Sequence, residues 1–157
     1  MRYFILFFVI LAFSACNPSK IAIEKIEATD FQGNKVNWEK YQGKVVFFHF
    51  WATWCRDCLV EMPKLIELAA QYQGNEKVVF VFASDESLER QQAFLAESPN
   101  LPFQFVKLSK SLKENGIIYI PQTYLFDKKG NLVQAARDKT DWTSEEQSKK
   151  MKALMEE

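Results

Sequence analysis

The stretch Val45-Val46-Phe47-Phe48-His49-Phe50-Trp51-Ala52-Thr53-Trp54-Cys55-Arg56-Asp57-Cys58 joins an apolar run to the start of a helical pattern. Residues 45–50 are β-branched or aromatic apart from His49, the composition of a strand buried on both faces. Beyond the cysteines, Leu59, Met62, Leu65, Ile66, Ala69 and Tyr72 recur at spacings that line one face of a helix. Two cysteines separated by two residues are therefore expected where a strand hands over to a helix. Unpaired backbone N–H groups and the positive end of the helix dipole meet at such a point. Both stabilise an anion, and the thiolate is the form of cysteine that attacks a disulfide.

Downstream, residues 78–83 form a second apolar run. Strand, helix and strand at this spacing predict a βαβ unit with parallel pairing and a right-handed crossover. Pro63 removes one donor and crowds the carbonyl of Leu59, which predicts a kink in the helix rather than its end; Gly74-Asn75 supplies the end. A second helix is expected over 87–97, a short strand over 103–106 and a weak helical stretch around 111–115. Residues 124–126 and 132–136 flank Asp127-Lys128-Lys129-Gly130-Asn131, the turn chemistry of a hairpin. Upstream, residues 23–29 and 35–38 read as two short strands about Gln32-Gly33-Asn34. Residues 143–157 close the chain as a helix, with Thr143 and Glu146 placed as a capping box and Trp142, Met151, Leu154 and Met155 facing inward.

Composition narrows the class. A chain of 157 residues, 48% hydrophobic and with 14 phenylalanines, has the material for one ordered domain. Its 20 basic and 20 acidic residues balance, and no basic stripe stands out, so nucleic acid is not an expected partner.

The first residues follow a different pattern. Arg2 precedes an unbroken apolar run over 3–13. That run falls short of the roughly 20 apolar residues that a membrane-spanning helix needs, but it suits the core of a secretory signal. Phe13-Ser14-Ala15-Cys16 looks like a bacterial lipobox, with cleavage before Cys16 and lipidation of its thiol. The plainer alternatives are an uncleaved signal anchor or a signal peptide followed by a stray cysteine. Three cysteines are an odd number for an exported protein, and lipid on Cys16 would leave one pair with nothing over. The expected organisation is a signal peptide over 1–15, a lipidated tether over 16–22 and a single domain over 23–157.

Phe50-Trp51-Ala52-Thr53-Trp54-Cys55-Arg56-Asp57-Cys58 and Ile120-Pro121-Gln122-Thr123-Tyr124-Leu125-Phe126-Asp127-Lys128-Lys129-Gly130 together resemble the thioredoxin superfamily. Within it the chain is similar to the TlpA/ResA-like membrane-anchored thiol-disulfide oxidoreductases, from about residue 23 to the C-terminus. The resemblance implies a thioredoxin-like α/β fold. Its features are a central mixed sheet flanked by helices on both faces, an N-terminal β-hairpin and an inserted strand–helix segment.

The resemblance also implies roles. Cys55 would be the nucleophile and Cys58 the resolving thiol, forming a redox-active disulfide between turnovers. The Ile120–Pro121 bond would be cis, facing the cysteines and freeing the Ile120 backbone to pair with an extended substrate, with Trp54 shaping the rim. Arg56 adds positive charge beside Cys55, which Asp57 opposes. Where most thioredoxin relatives have proline before the second cysteine, this chain has Asp57.

His49 stands six residues before Cys55, where thioredoxins carry a buried acid; it is either a proton acceptor for Cys58 or core packing with one satisfied hydrogen bond. Glu86 matches an acidic residue that the ResA-like group links to cysteine acidity, and Asp85 could claim the same place; the alternative is a solvated loop carboxylate. The implied activity is reduction of disulfides in exported proteins, such as the C-x-x-C-H disulfide of apocytochrome c. It implies no cofactor and no metal, a monomer on the periplasmic side of the cell envelope, and a membrane electron donor that recharges the pair. Two further classes stay open. One is a Cu(I)-binding module using the same cysteines, since soft thiolates favour Cu(I); the other is a peroxidase of related fold. A zinc site would need four ligands, and the mature chain offers two cysteines and one histidine.

Overall fold

A computed structural model describes residues 21–137 and 140–157. The expected signal segment and Cys16 lie outside the described residues. No helix among the described residues is long and apolar enough to cross a membrane.

The sheet is built outward from β2 (Val45–Phe50), every residue of which is buried. It runs parallel to β3 (Val78–Ser84) in the register Val45↔Val78 to Phe50↔Ala83, and antiparallel to β5 (Gln122–Phe126). β4 (Gln104–Leu108) continues the parallel side, and β6 (Leu132–Arg137) pairs antiparallel with β5. The short β1 (Ala28–Thr29) closes the far edge against β4, giving the order β1-β4-β3-β2-β5-β6. Helices α1 (Arg56–Gln71), α2 (Leu88–Glu97) and α3 (Glu145–Glu156) complete the domain.

Strand alternation divides the core in two. Phe47, Phe80, Phe82 and Leu125 face one side, where they meet Met62, Leu65 and Leu68 of α1, Met151 and Leu154 of α3, and Phe94 of α2. Val46, Phe48, Val81 and Phe126 face the other, under Ile23, Trp38, Tyr41 and Ile117. α-Helices thus cover the first face. Two 3₁₀ helices, Ile23–Lys25 and Trp38–Tyr41, cover the second.

The N-terminal hairpin is much shorter than the sequence predicts. Its strands shrink to β1 and a single bridge between Thr29 and Lys35, because side chains take over the backbone bonding on either side. Trp38 Nε1–H donates to the Ile26 carbonyl at 2.6 Å, and the Asn37 side chain caps Glu39 N–H at 2.9 Å. The expected helical stretch near 111–115 is an uncontinued turn, with Asn115 N–H on Ser111 O and Ile117 N–H on Leu112 O. The short strand expected over 103–106 lies at Gln104–Leu108.

The N-cap of the last helix lies one residue later than expected, and the reciprocal bond of a capping box does not form: Ser144 N–H donates to Asp141 O, and Gln147 Oε1 has no partner among the described residues. Ser144 is the cap, its Oγ accepting from Gln147 N–H, while Thr143 Oγ1 donates to Asp141 at 2.6 Å. Pro63 lies inside α1, which continues through it to Gln71. Ile21 and Ala22, which fall in the expected tether, are tied to the hairpin after β5: Leu132 N–H donates to Ile21 O, and Ala22 bridges Asn131.

Candidate active site

Cys55 caps the N-terminus of α1. Its backbone is extended, at φ −80° and ψ 99°, and its Sγ accepts the backbone N–H of Cys58 at 3.2 Å. The two cysteines are joined in a disulfide, with Cα atoms 5.3 Å apart. Cys55 keeps 5% exposure and Cys58 none, so an incoming sulfur reaches Cys55 first. On reduction, the N–H already aimed at Cys55 Sγ sits where a negative charge would develop, at the positive end of a sixteen-residue helix. Arg56 and Asp57 occupy the next two positions, both exposed, so opposite charges flank the cap.

β5 brings Pro121 to this place. Its first residue, Gln122, pairs with Phe50, the last residue of β2, so the segment entering β5 lies beside the loop leaving β2. The Ile120–Pro121 bond is cis. Pro121, Asp57, Glu61, Lys64, Asp141 and Trp142 line a groove of about 410 Å³ along α1. Trp54 is 65% exposed beside Cys55, and Ile118 and Tyr119 are exposed just before Ile120. Trp51, in contrast, is fully buried among Phe82, Phe94 and Phe105.

His49 belongs to the core. It is wholly buried, on the face that meets Cys58 and α1, with Nδ1 2.9 Å from Thr123 Oγ1 and rings of Phe47 and Phe82 beside it. Burial pushes its imidazole down to about 3, so the ring is neutral. A base that weak is poorly matched to a thiol of ordinary pKa near 8.5.

Glu86 does not bond to either cysteine. Its carboxylate accepts Thr53 N–H at 2.6 Å and Thr53 Oγ1–H at 2.7 Å, two residues before Cys55. Asp85 faces elsewhere and accepts Leu112 N–H at 2.9 Å. Sequence reasoning missed Glu61, Lys64 and Thr53. For the first two a signal was present: residues 57, 61 and 64 share one face of a helix beginning at Arg56. Among the described residues no group of three or more His, Cys, Asp or Glu is placed to hold a metal ion.

Comparisons with known proteins place the chain in a family. Residues 20–135 match the AhpC/TSA family. The chain is 31% identical over 125 residues to the thiol-disulfide oxidoreductase ResA of Bacillus thuringiensis, covering 78% of this chain and 72% of that one. It is 34% identical over 111 residues to the thioredoxin-like protein YneN of Bacillus subtilis, covering 66% and 65%. The crystal structure of a proposed thiol-disulfide oxidoreductase from Bacteroides vulgatus superposes with a TM-score of 0.66 at 28% identity, covering 82% of this chain and 90% of that one. The fold is thioredoxin-like, a mixed six-stranded sheet with three helices.

Proposed function

We propose, for a chain that belongs to the AhpC/TSA family and is a thioredoxin-like thiol-disulfide oxidoreductase, a role as a lipid-anchored reductant of disulfides in exported proteins. The observation that carries the chemistry is the Cys55–Cys58 disulfide capping α1 beside Pro121. In the reduced protein the Cys55 thiolate attacks one sulfur of a substrate disulfide, forming a mixed disulfide and expelling the other substrate sulfur as a thiolate. Cys58, deprotonated, then attacks Cys55 Sγ and releases the second substrate thiol. Two electrons and two protons pass to the substrate, and the Cys55–Cys58 bond is left behind. A membrane dithiol donor must then reduce that bond, because an exported dithiol is otherwise oxidised.

The groove along α1 supports a polypeptide substrate. An extended segment could run beside Ile120 with backbone pairing, its side chains against Trp54 and the groove wall. The C-x-x-C-H disulfide of apocytochrome c is a substrate of this kind. The anchor rests on the pattern at 13–16, and the periplasmic location follows from the anchor.

Insulin reduction driven by dithiothreitol tests the chemistry: the wild type should accelerate it and Cys55→Ser should not. Cys58→Ser, expressed in cells, should accumulate mixed disulfides with exported proteins, and capture of none would remove the assigned substrate class. Fatty-acid label that is missing from the wild type, or that persists in Cys16→Ser, would remove the anchor.

A further inference from the structure

The loop that leaves β3 carries two adjacent carboxylates turned to different neighbours. The Glu86 side chain is only 7% exposed. It accepts Thr53 N–H and Thr53 Oγ1–H at 2.6 and 2.7 Å, and Ser84 Oγ–H at 3.3 Å. Arg90 lies 3.7 Å away and offsets its charge. The loop is secured from behind by Gln91, a wholly buried side chain whose Nε2–H donates to Glu86 O at 3.0 Å. Asp85 accepts Leu112 N–H at 2.9 Å. Leu112 O in turn takes the N–H of Ile117 at 2.8 Å, and Ile117 is buried three residues before Ile120.

One short loop therefore grips both walls of the redox site, Thr53 ahead of Cys55 and the 112–117 turn ahead of Pro121. Neither grip depends on the identity of the side chain at its far end, since each includes a backbone N–H. Hydrogen bonds to a carboxylate are roughly twice as strong as neutral ones. They hold a backbone position that would otherwise drift, and a displacement of about 1 Å at a reacting group can cost on the order of 10²-fold in rate.

We propose that Glu86 is a positioning residue for disulfide exchange. It fixes the Thr53–Cys55 backbone, while Asp85 fixes the opposite wall, so that Cys55 meets substrate held along Ile120. This rests on the exchange chemistry assigned above. It differs from a direct charge effect of Glu86 on the thiolate, and the two predict opposite signs.

The experiment measures kcat and KM for a protein disulfide, the pH profile of Cys55 alkylation and the melting temperature, in Glu86→Ala, Glu86→Gln and Asp85→Ala. A glutamine can keep the grip: its oxygen accepts Thr53 N–H, and its amide donates to Thr53 Oγ1, which turns from donor to acceptor. Glu86→Ala should lower kcat about tenfold and move the alkylation midpoint upward, as the cap loosens. Glu86→Gln should recover most of that loss. Asp85→Ala should act chiefly on KM, because it frees the wall that receives substrate.

Wild-type kcat in Glu86→Ala overturns the proposal. So does equal impairment in Glu86→Gln and Glu86→Ala with both midpoints moved downward, the mark of a lost negative charge. If Glu86→Ala does not fold, Thr53→Val, which deletes only the hydroxyl bond, takes its place; a fall in kcat of about threefold at unchanged melting supports the grip, and wild-type kcat overturns it. A wild type that reduces no disulfide would defeat the exchange reading itself. Unaltered variants of an active wild type would defeat only the positioning role.

Discussion

His49 Nδ1 and Thr123 Oγ1 lie 2.9 Å apart across the antiparallel pair of β2 and β5. His49 Nε2 has no hydrogen-bond partner among the described residues. Burial holds the ring neutral in the fold, with its pKa lowered from 6.5 to about 3. Between those values the unfolded chain binds a proton that the fold does not, so stability rises with pH there and is lost as pH falls. The contribution is fully present above about pH 6.5 and drains away toward pH 3. Its slope approaches about 1.4 kcal/mol per pH unit for one group. Urea unfolding at pH 7 and pH 4.5 should show a smaller acid-side loss in His49→Asn than in the wild type. Equal losses would mean that the buried ring is not what the acid attacks.

Trp54 separates binding from folding. At 65% exposure its ring contributes little to the core, and surface substitutions of that kind usually stay within about 0.5 kcal/mol. Trp54→Ala should melt close to the wild type while KM for protein disulfides rises several-fold. Small-molecule disulfides, which do not span the rim, should be reduced at nearly the wild-type rate. A large drop in melting temperature would show that the ring is structural instead.

Phe82 is the opposite case. It is fully buried, stacked on Phe103 with centroids 3.9 Å apart, and touches the rings of His49, Trp51 and Phe105. Phe82→Ala should cost about 3–5 kcal/mol, the usual range for an aromatic deleted from a core. Val60→Ala, at a residue 69% exposed, should stay near zero. Denaturant midpoints for the pair check both.

Two glycines of positive φ should respond unequally to alanine. At Gly130, φ is +77°, and a Cβ would meet Ile23 Cγ2 at 2.9 Å; at Gly33, φ is +82° and the space is open. Both substitutions pay the left-handed penalty of about 1–2 kcal/mol. Gly130→Ala adds a collision with the segment that covers the second face of the sheet. It should be the more destabilising of the two, and equal midpoints would show that Ile23 gives way freely.

The amino-acid order alone determined the strand–helix handover at Cys55, the parallel unit of β2, α1 and β3, and the hairpin of β5 and β6. The strands, helix and turn of each depend on neighbours within a few residues, where apolar period and turn chemistry act directly on the backbone, and the general rule for strand–helix–strand units supplies the parallel pairing. Even the face shared by Asp57, Glu61 and Lys64 was present in that period. The tertiary structure alone decided which groups Glu86 and His49 bond to and how deeply they are buried. Their partners, Thr53 and Thr123, lie 33 and 74 residues away, and no local pattern encodes a hydrogen bond across that distance. It also reduced the N-terminal strands to β1 and one bridge, because the Trp38 indole reaches back to the Ile26 carbonyl. A side chain's reach and the depth at which it is buried depend on how the elements pack, and so does the energy that follows from them.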